Sequence, residues 1–223
     1  MNFDFLLICD AGHGGIDPNT GKYTTAPAKQ YIHEEGSFHL GTTFCEGVWN
    51  RVLVSRILDK CRSIGIPTVT VNHRYRDTPL RQRVDVANFY HRAFESKTLY
   101  VSVHANASAT HTARGTEVWT SKGETLADHY AANYWERLND VMGDRLRYRP
   151  DPLLDGNPDK DANFFVLRKT AMPAILVEAL FFDQPDDAAL LMQDDIVDNF
   201  AEAIVQASIV SAREFYNIGW DGR

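Results

Sequence analysis

Short apolar runs alternate with longer stretches of helical periodicity along most of the chain, and this alternation leaves few folds open. Phe5–Asp10 reads as a buried strand that runs into a Gly-rich turn. Glu46–Ile64 reads as a helix with Trp49, Leu53, Ile57 and Ile64 on one side. Gly65-Ile66-Pro67 breaks it, and Thr68–Asn72 begins the next strand. Thr78 and Pro79 supply an N-cap and a preset first residue for a helix over Leu80–Phe94. Thr98–Val103 is β-branched and aromatic, hence a strand, with a polar turn around Asn106; Thr116–Thr120 is a shorter one. Ser121 and Glu124 form a capping-box pattern ahead of a helix to about Val141. Tyr148–Asp161 is rich in Pro, Asp and Gly and reads as a loop. Ala174–Glu178 is an apolar strand with a carboxylate at its end. A last helix starts near Asp194 or Asp195 and carries Val197, Phe200, Ile204, Ala207 and Phe215.

The pattern predicts an α/β fold: one domain over residues 1–223 around a mixed, mostly parallel sheet of about six strands, with helices on both faces. One segment breaks the rhythm. Ile16–Cys45, about thirty residues, has little periodicity and a hairpin pattern near Phe38. A loop that long inside a compact domain is uncommon, so it reads as an insertion, either shaping a groove or carrying no chemistry.

Charge narrows the partners. With 23 Lys+Arg against 30 Asp+Glu the formal net charge is −7, which argues against a nucleic-acid binder and offers no polybasic membrane anchor. The N-terminal apolar run is too short to span a membrane and lacks a basic flank, so the chain as written predicts no membrane insertion and no signal peptide. The expectation is a protein that stays in the cytoplasm of the producing cell until released. Cys9, Cys45 and Cys61 form no CxxC pair and read as small buried hydrophobes.

Chemistry-bearing residues fall where predicted elements end on one rim of the sheet. His13 follows the first strand in DAGHGG, His104 follows a middle strand in SVHAN, Glu178 ends AILVE, and Glu46 begins the first long helix. The crevice beyond the carboxyl ends of the strands is the usual site in such sheets. Two imidazoles and a carboxylate make a catalytic zinc set with a fourth position left for water, and a second carboxylate off the metal can move that water's proton. Glycines 12, 14 and 15 around His13 permit a tight turn. His33, Glu34, Glu35 and His39 on the insertion fit no defensible metal motif and read as a solvated loop.

Six segments in order resemble the amidase 3 family of zinc N-acetylmuramoyl-L-alanine amidases. They are Asp10–Gly15, Glu46-Gly-Val-Trp-Asn50, the Arg74–Asp77 and Leu80–Asn88 stretch, Ser102–Asn106, Gly115–Trp119 and Pro173–Glu178. The resemblance implies His13, Glu46 and His104 as ligands of one zinc ion, Glu178 as general base, and Asn106 and Arg74 as substrate contacts. It also implies peptidoglycan as substrate, cut at the amide joining N-acetylmuramic acid to L-alanine. Two departures stand out. His13 and Glu46 lie 33 positions apart, which leaves Glu34 or Glu35 as rival ligands, and Leu180-Phe181 stands where the family usually has Gly-Phe.

With no signal peptide or wall-binding repeat in view, the resemblance points to a phage or prophage endolysin that meets the wall at lysis. Two other readings remain open: a zinc peptidase cutting within the stem peptide, and a wall-binding module with an inactive site.

Overall fold

The computed structural model describes residues 3–25, 27–151 and 157–218. Its strands are β1 (Leu6–Ala11), β2 (Gln30–Ile32), β3 (Thr43–Cys45), β4 (Thr68–Thr70), β5 (Thr98–Asn106), β6 (Glu117–Thr120), β7 (Lys160–Asp161) and β8 (Ala174–Phe181). The helices are α1 (Glu46–Ile64), α2 (Leu80–Ala93), α3 (Leu126–Met142), α4 (Phe165–Lys169), α5 (Pro185–Leu191) and α6 (Asp194–Tyr216). Six strands form one sheet in the order β4-β1-β5-β8-β6-β7, with only the β6–β8 pair antiparallel. This is the mixed, mostly parallel α/β sheet that the sequence predicts. No helix among the described residues is long and apolar enough to cross a membrane.

The topology places a crevice at a defined point. From β1 the chain passes through α1 to β4 on one side, then through α2 to β5 on the other. Right-handed crossovers in opposite directions put α1 and α2 on opposite faces of the sheet. The carboxyl ends of β1 and β5 therefore flank a topological switch point, where a ligand has room between diverging connections.

Two apolar clusters hold the layers together. The larger joins one face to α1, α3 and α6 through residues such as Leu53, Ile57, Tyr130, Phe200 and Ile204. The smaller joins the other face to α2 and α4, with Val84, Ala87, Val166 and Leu167 against Ile8, Tyr100 and Leu176. Because strand side chains alternate, Asp10, Ser102, His104 and Glu178 continue the rows of Ile8, Tyr100 and Leu176 on this second face. α4 has only five residues, so the cover gives out there and polar side chains take over from the core.

Several local expectations are corrected. β5 and β8 extend to Asn106 and Phe181, so His104 and Glu178 lie inside strands rather than at their ends. Ile64 is 38% exposed and Cys61 is the buried residue in the last turn of α1. Thr78 does not cap α2 with its side chain; its hydroxyl accepts from the His73 amide at 2.8 Å. The capping box belongs to Thr125 and Asp128, not Ser121 and Glu124, with the Ala127 amide donating to the Thr125 hydroxyl at 3.1 Å. Thr125→Ala is expected to lower unfolding stability by about 1 kcal/mol, read as a shifted urea midpoint. In the expected loop at 148–161, residues 152–156 lie outside the described residues, and Lys160–Asp161 pairs with β6 as β7.

The insertion is packed rather than loose. β2 and β3 form an antiparallel hairpin, with Tyr31 opposite Phe44. Phe44 is fully buried and stacks on Phe182 with ring centroids 5.6 Å apart and planes at 8°. His33 is buried, bonds to the Phe182 carbonyl at 3.0 Å and stacks on Phe38; His39 Nδ1 accepts from the Cys45 amide at 2.9 Å. Burial drives His39 down to about 4, so its ring stays neutral and keeps that acceptor. These two histidines are structural, not part of a solvated loop. Glu34 and Glu35 are exposed and stand apart from the metal-capable cluster described below.

Candidate metal centre and its cavity

β3 runs directly into α1, so the hairpin delivers Glu46 as the first residue of that helix. Gly47, next in the helix, must be a glycine, because a Cβ there would lie 2.0 Å from the Gly14 carbonyl oxygen. Gly12 is equally constrained, since a Cβ would fall within 2.1 Å of the His104 ring. These close approaches let the turn after β1 sit against both α1 and β5.

His13 adopts a left-handed backbone conformation with φ of 63°, which costs a non-glycine residue about 1–3 kcal/mol unless the surroundings impose it. The surroundings do so. Its carbonyl accepts from Arg51 at 2.9 Å and from Arg83 at 3.1 Å, while Asn50 donates to the Gly12 carbonyl at 3.1 Å. On the insertion, the Thr25 hydroxyl accepts from the Gly14 amide at 2.6 Å, and Thr24 donates to the Gly15 carbonyl at 3.0 Å. Arg83 is almost wholly buried and uses all five guanidinium N–H groups: on the Thr78, Ala11 and His13 carbonyls and on Asp10 and Asp77. Asp10 in turn accepts from Tyr100 at 2.8 Å and Ser102 at 3.0 Å.

The result is a compact donor set. One ligand atom from each of His13, Glu46 and His104 lies within 4.8 Å of the others. His104 Nδ1 is 2.9 Å from Glu46 Oε1 in hydrogen-bond contact. His13 Nε2 approaches the same oxygen to 3.2 Å without hydrogen-bond geometry, and the two imidazoles meet edge to face at 5.0 Å. Glu46 is 1% exposed. Burial pushes its carboxyl up, but the His104 hydrogen bond and the proximity of both imidazoles outweigh that and hold it low. His13 is itself pushed down, chiefly by burial. His13 Nε2 and Glu46 Oε2 are buried with no hydrogen-bond partner, and a metal cation would satisfy both lone pairs at once. The residues therefore fit a divalent metal ion.

Opposite these donors, Glu178 pairs in register with His104 on one side and Glu117 on the other. Its carboxyl is pushed well above the usual range, first by burial and then by Glu46 and Glu117, with Lys29 opposing. Its Oε2 has no hydrogen-bond partner. A cavity of about 480 Å³ opens here, with His13, His104, Glu178 and Lys29 on its polar side and Phe165 and Leu176 on its apolar side.

Two expected contacts lie outside this lining. Asn106 donates to Glu117 at 3.1 Å, and Arg74 is exposed, with its guanidinium 5.3 Å from the Tyr75 ring centroid. Leu180 packs into the larger core cluster, away from the cavity. Lys29 and the Arg51 clamp went unread in the sequence, since one lies in an aperiodic insertion and the other looks like any helix-surface arginine.

A switch-point crevice with a two-histidine, one-carboxylate donor set and a separate, partly buried carboxylate suits metal-assisted hydrolysis. Residues 7–209 match the family described as Amidase_3, N-acetylmuramoyl-L-alanine amidase, and the chain belongs to that family. It is 28% identical over 204 residues to an endolysin of Bacillus phage SPP1, covering 88% of this chain and 62% of that protein. It is 27% identical over 180 residues to the amidase LytC of Bacillus subtilis, covering 79% of this chain and 33% of that one. The chain thus spans less than two thirds of either relative. Its fold is similar to an N-acetylmuramoyl-L-alanine amidase structure from Clostridium difficile 630, with a TM-score of 0.71 at 23% identity over 92% of this chain and 95% of that one.

Proposed function

We propose that this chain is a zinc-dependent amidase that hydrolyses the bond between N-acetylmuramic acid and L-alanine in peptidoglycan, acting as a phage or prophage endolysin. The observation that carries the reading is the position of Glu178, off the donor set of His13, Glu46 and His104 yet lining the same cavity as His13 and His104. Family membership and the relationship to a phage endolysin support the bond and the setting.

His13, Glu46 and His104 would hold one zinc ion, which when bound polarises a carbonyl and lowers the pKa of water. The rest falls to the chain's own groups. Glu178 takes the proton of the attacking water and returns it to the departing L-alanine nitrogen. Phe165 and Leu176 give the cavity an apolar wall beside that transfer. Asn106 and Arg74 stay in this reading as outer substrate contacts, beyond the cavity itself.

The test joins metal content to product analysis. Wild-type protein is expected to carry about one zinc per chain and to release intact stem peptides with a free L-alanine amine from purified wall. His13→Ala, Glu46→Ala and His104→Ala are expected to lose both. Cleavage inside the peptide would transfer the site to the peptidase reading. Zinc retained in Glu46→Ala would break the ligand assignment.

A further inference from the structure

Lys29 sits at the end of a short turn, Pro27–Lys29, immediately before the insertion hairpin. Its Nζ lies 3.5 Å from Glu46 Oε2, and its side chain is 40% exposed against 1% for Glu46. The contact is an ion pair, since Glu46 Oε2 has no hydrogen-bond partner. The ammonium also lines the cavity beside His13, His104 and Glu178. Phe44, locked against Phe182, and Tyr23, whose hydroxyl accepts from the Gly47 amide at 2.9 Å, fix the segments on either side of it. The flanking segments that carry Lys29 are thus anchored, and its ammonium reaches the cavity wall.

The neighbouring groups say what it can do there. The cavity's guanidinium, Arg83, has its N–H groups taken by Asp10, Asp77 and the Thr78, Ala11 and His13 carbonyls, whereas the Lys29 ammonium has a single ion-pair contact and can turn to an oxygen that gains negative charge when the amide carbonyl is attacked.

We propose that Lys29 is a catalytic residue whose ammonium donates to the carbonyl oxygen of the scissile amide as negative charge develops on it. This inference rests on the amide-hydrolysis reading above. In the step, the water oxygen bonds to the carbonyl carbon, its proton passes to Glu178, and the carbonyl π pair moves onto the oxygen facing Lys29. Collapse restores the carbonyl and breaks the carbon–nitrogen bond, and the proton on Glu178 goes to the nitrogen. Lys29 keeps its proton throughout and acts by charge and hydrogen bonding. The insertion then has a task that its aperiodic sequence hides: it carries an electrostatic group into a site otherwise built on two strands, the turn after β1 and a helix start.

The test compares wild type, Lys29→Met and Lys29→Arg on purified wall, with zinc content and melting temperature measured on each. The expected result for Lys29→Met is a fall in kcat of about 10²–10³-fold with KM within about twofold, zinc and melting temperature unchanged. Lys29→Arg is expected to recover part of the loss, because it keeps the charge. A raised KM with kcat intact would make Lys29 a ground-state binder and overturn the proposal. So would lost zinc or a lowered melting temperature that accounts for the whole fall. A wild type that cleaves no wall amide overturns the hydrolase reading and this inference with it. An active wild type matched by Lys29→Met overturns this inference alone.

Discussion

Glu178→Gln is expected to lower turnover by about 10²–10⁴-fold while zinc stays bound at the wild-type stoichiometry. Glutamine matches glutamate in shape, so the β8 register with His104 and Glu117 is preserved and the cavity keeps its walls. What disappears is an acceptor for the water's proton. On the proposed role, burial and the nearby Glu46 raise the proton affinity of this carboxylate, so a proton taken from the water is held until the leaving nitrogen accepts it. Zinc should remain because the three-donor cluster comprises His13, Glu46 and His104 without it. Near-normal turnover would remove Glu178 from the base role. Loss of metal would instead make it a fourth ligand.

Arg83→Met is expected to destabilise the fold by about 3–5 kcal/mol, the cost of breaking a buried ion pair by removing one partner. Arg83 and Asp10 are each 1% exposed, and the same guanidinium holds the carbonyls of Ala11, His13 and Thr78. Methionine fills much of the volume but leaves Asp10 with only the Tyr100 and Ser102 hydroxyls. Urea unfolding of the zinc-free protein measures the loss directly, without ligand linkage. Arg83→Lys separates charge from geometry: it keeps the cation, cannot make the planar five-donor array, and should fall between wild type and Arg83→Met. A loss under about 1 kcal/mol in Arg83→Met would show that the network is spectator to stability.

The legible parts of this fold are those where periodicity and burial coincide. α1, α2, α3 and α6 have apolar stripes long enough to be read, and β1, β5 and β8 are apolar runs buried from both sides. The short helices α4 and α5 went unread, because five and seven residues give too few turns for a stripe to form. Ahead of α3, Ser121–Glu124 and Thr125–Asp128 both fit a capping pattern, and only the Thr125 pair closes it. At the site, His13, Glu46 and His104 announce themselves by standing at breaks in the pattern. Lys29 does not, since its position depends on the contact of Phe44 with Phe182, residues far apart in sequence. The structural histidines of the insertion, His33 and His39, are hidden for the same reason: aromatic docking across such separations leaves no local period.

The sheet order also bears on how the folded chain behaves in a crowd. Its edges are β4 and β7, with three and two residues, while the longest strands, β5 and β8, lie side by side in the middle. An edge strand offers unpaired amides and carbonyls to any neighbouring chain, and the hazard grows with its length. Edges this brief give an incoming strand little backbone to pair with. The same order that opens a crevice at its centre blunts the sheet at its rims, and recruitment into an intermolecular sheet is disfavoured from both sides.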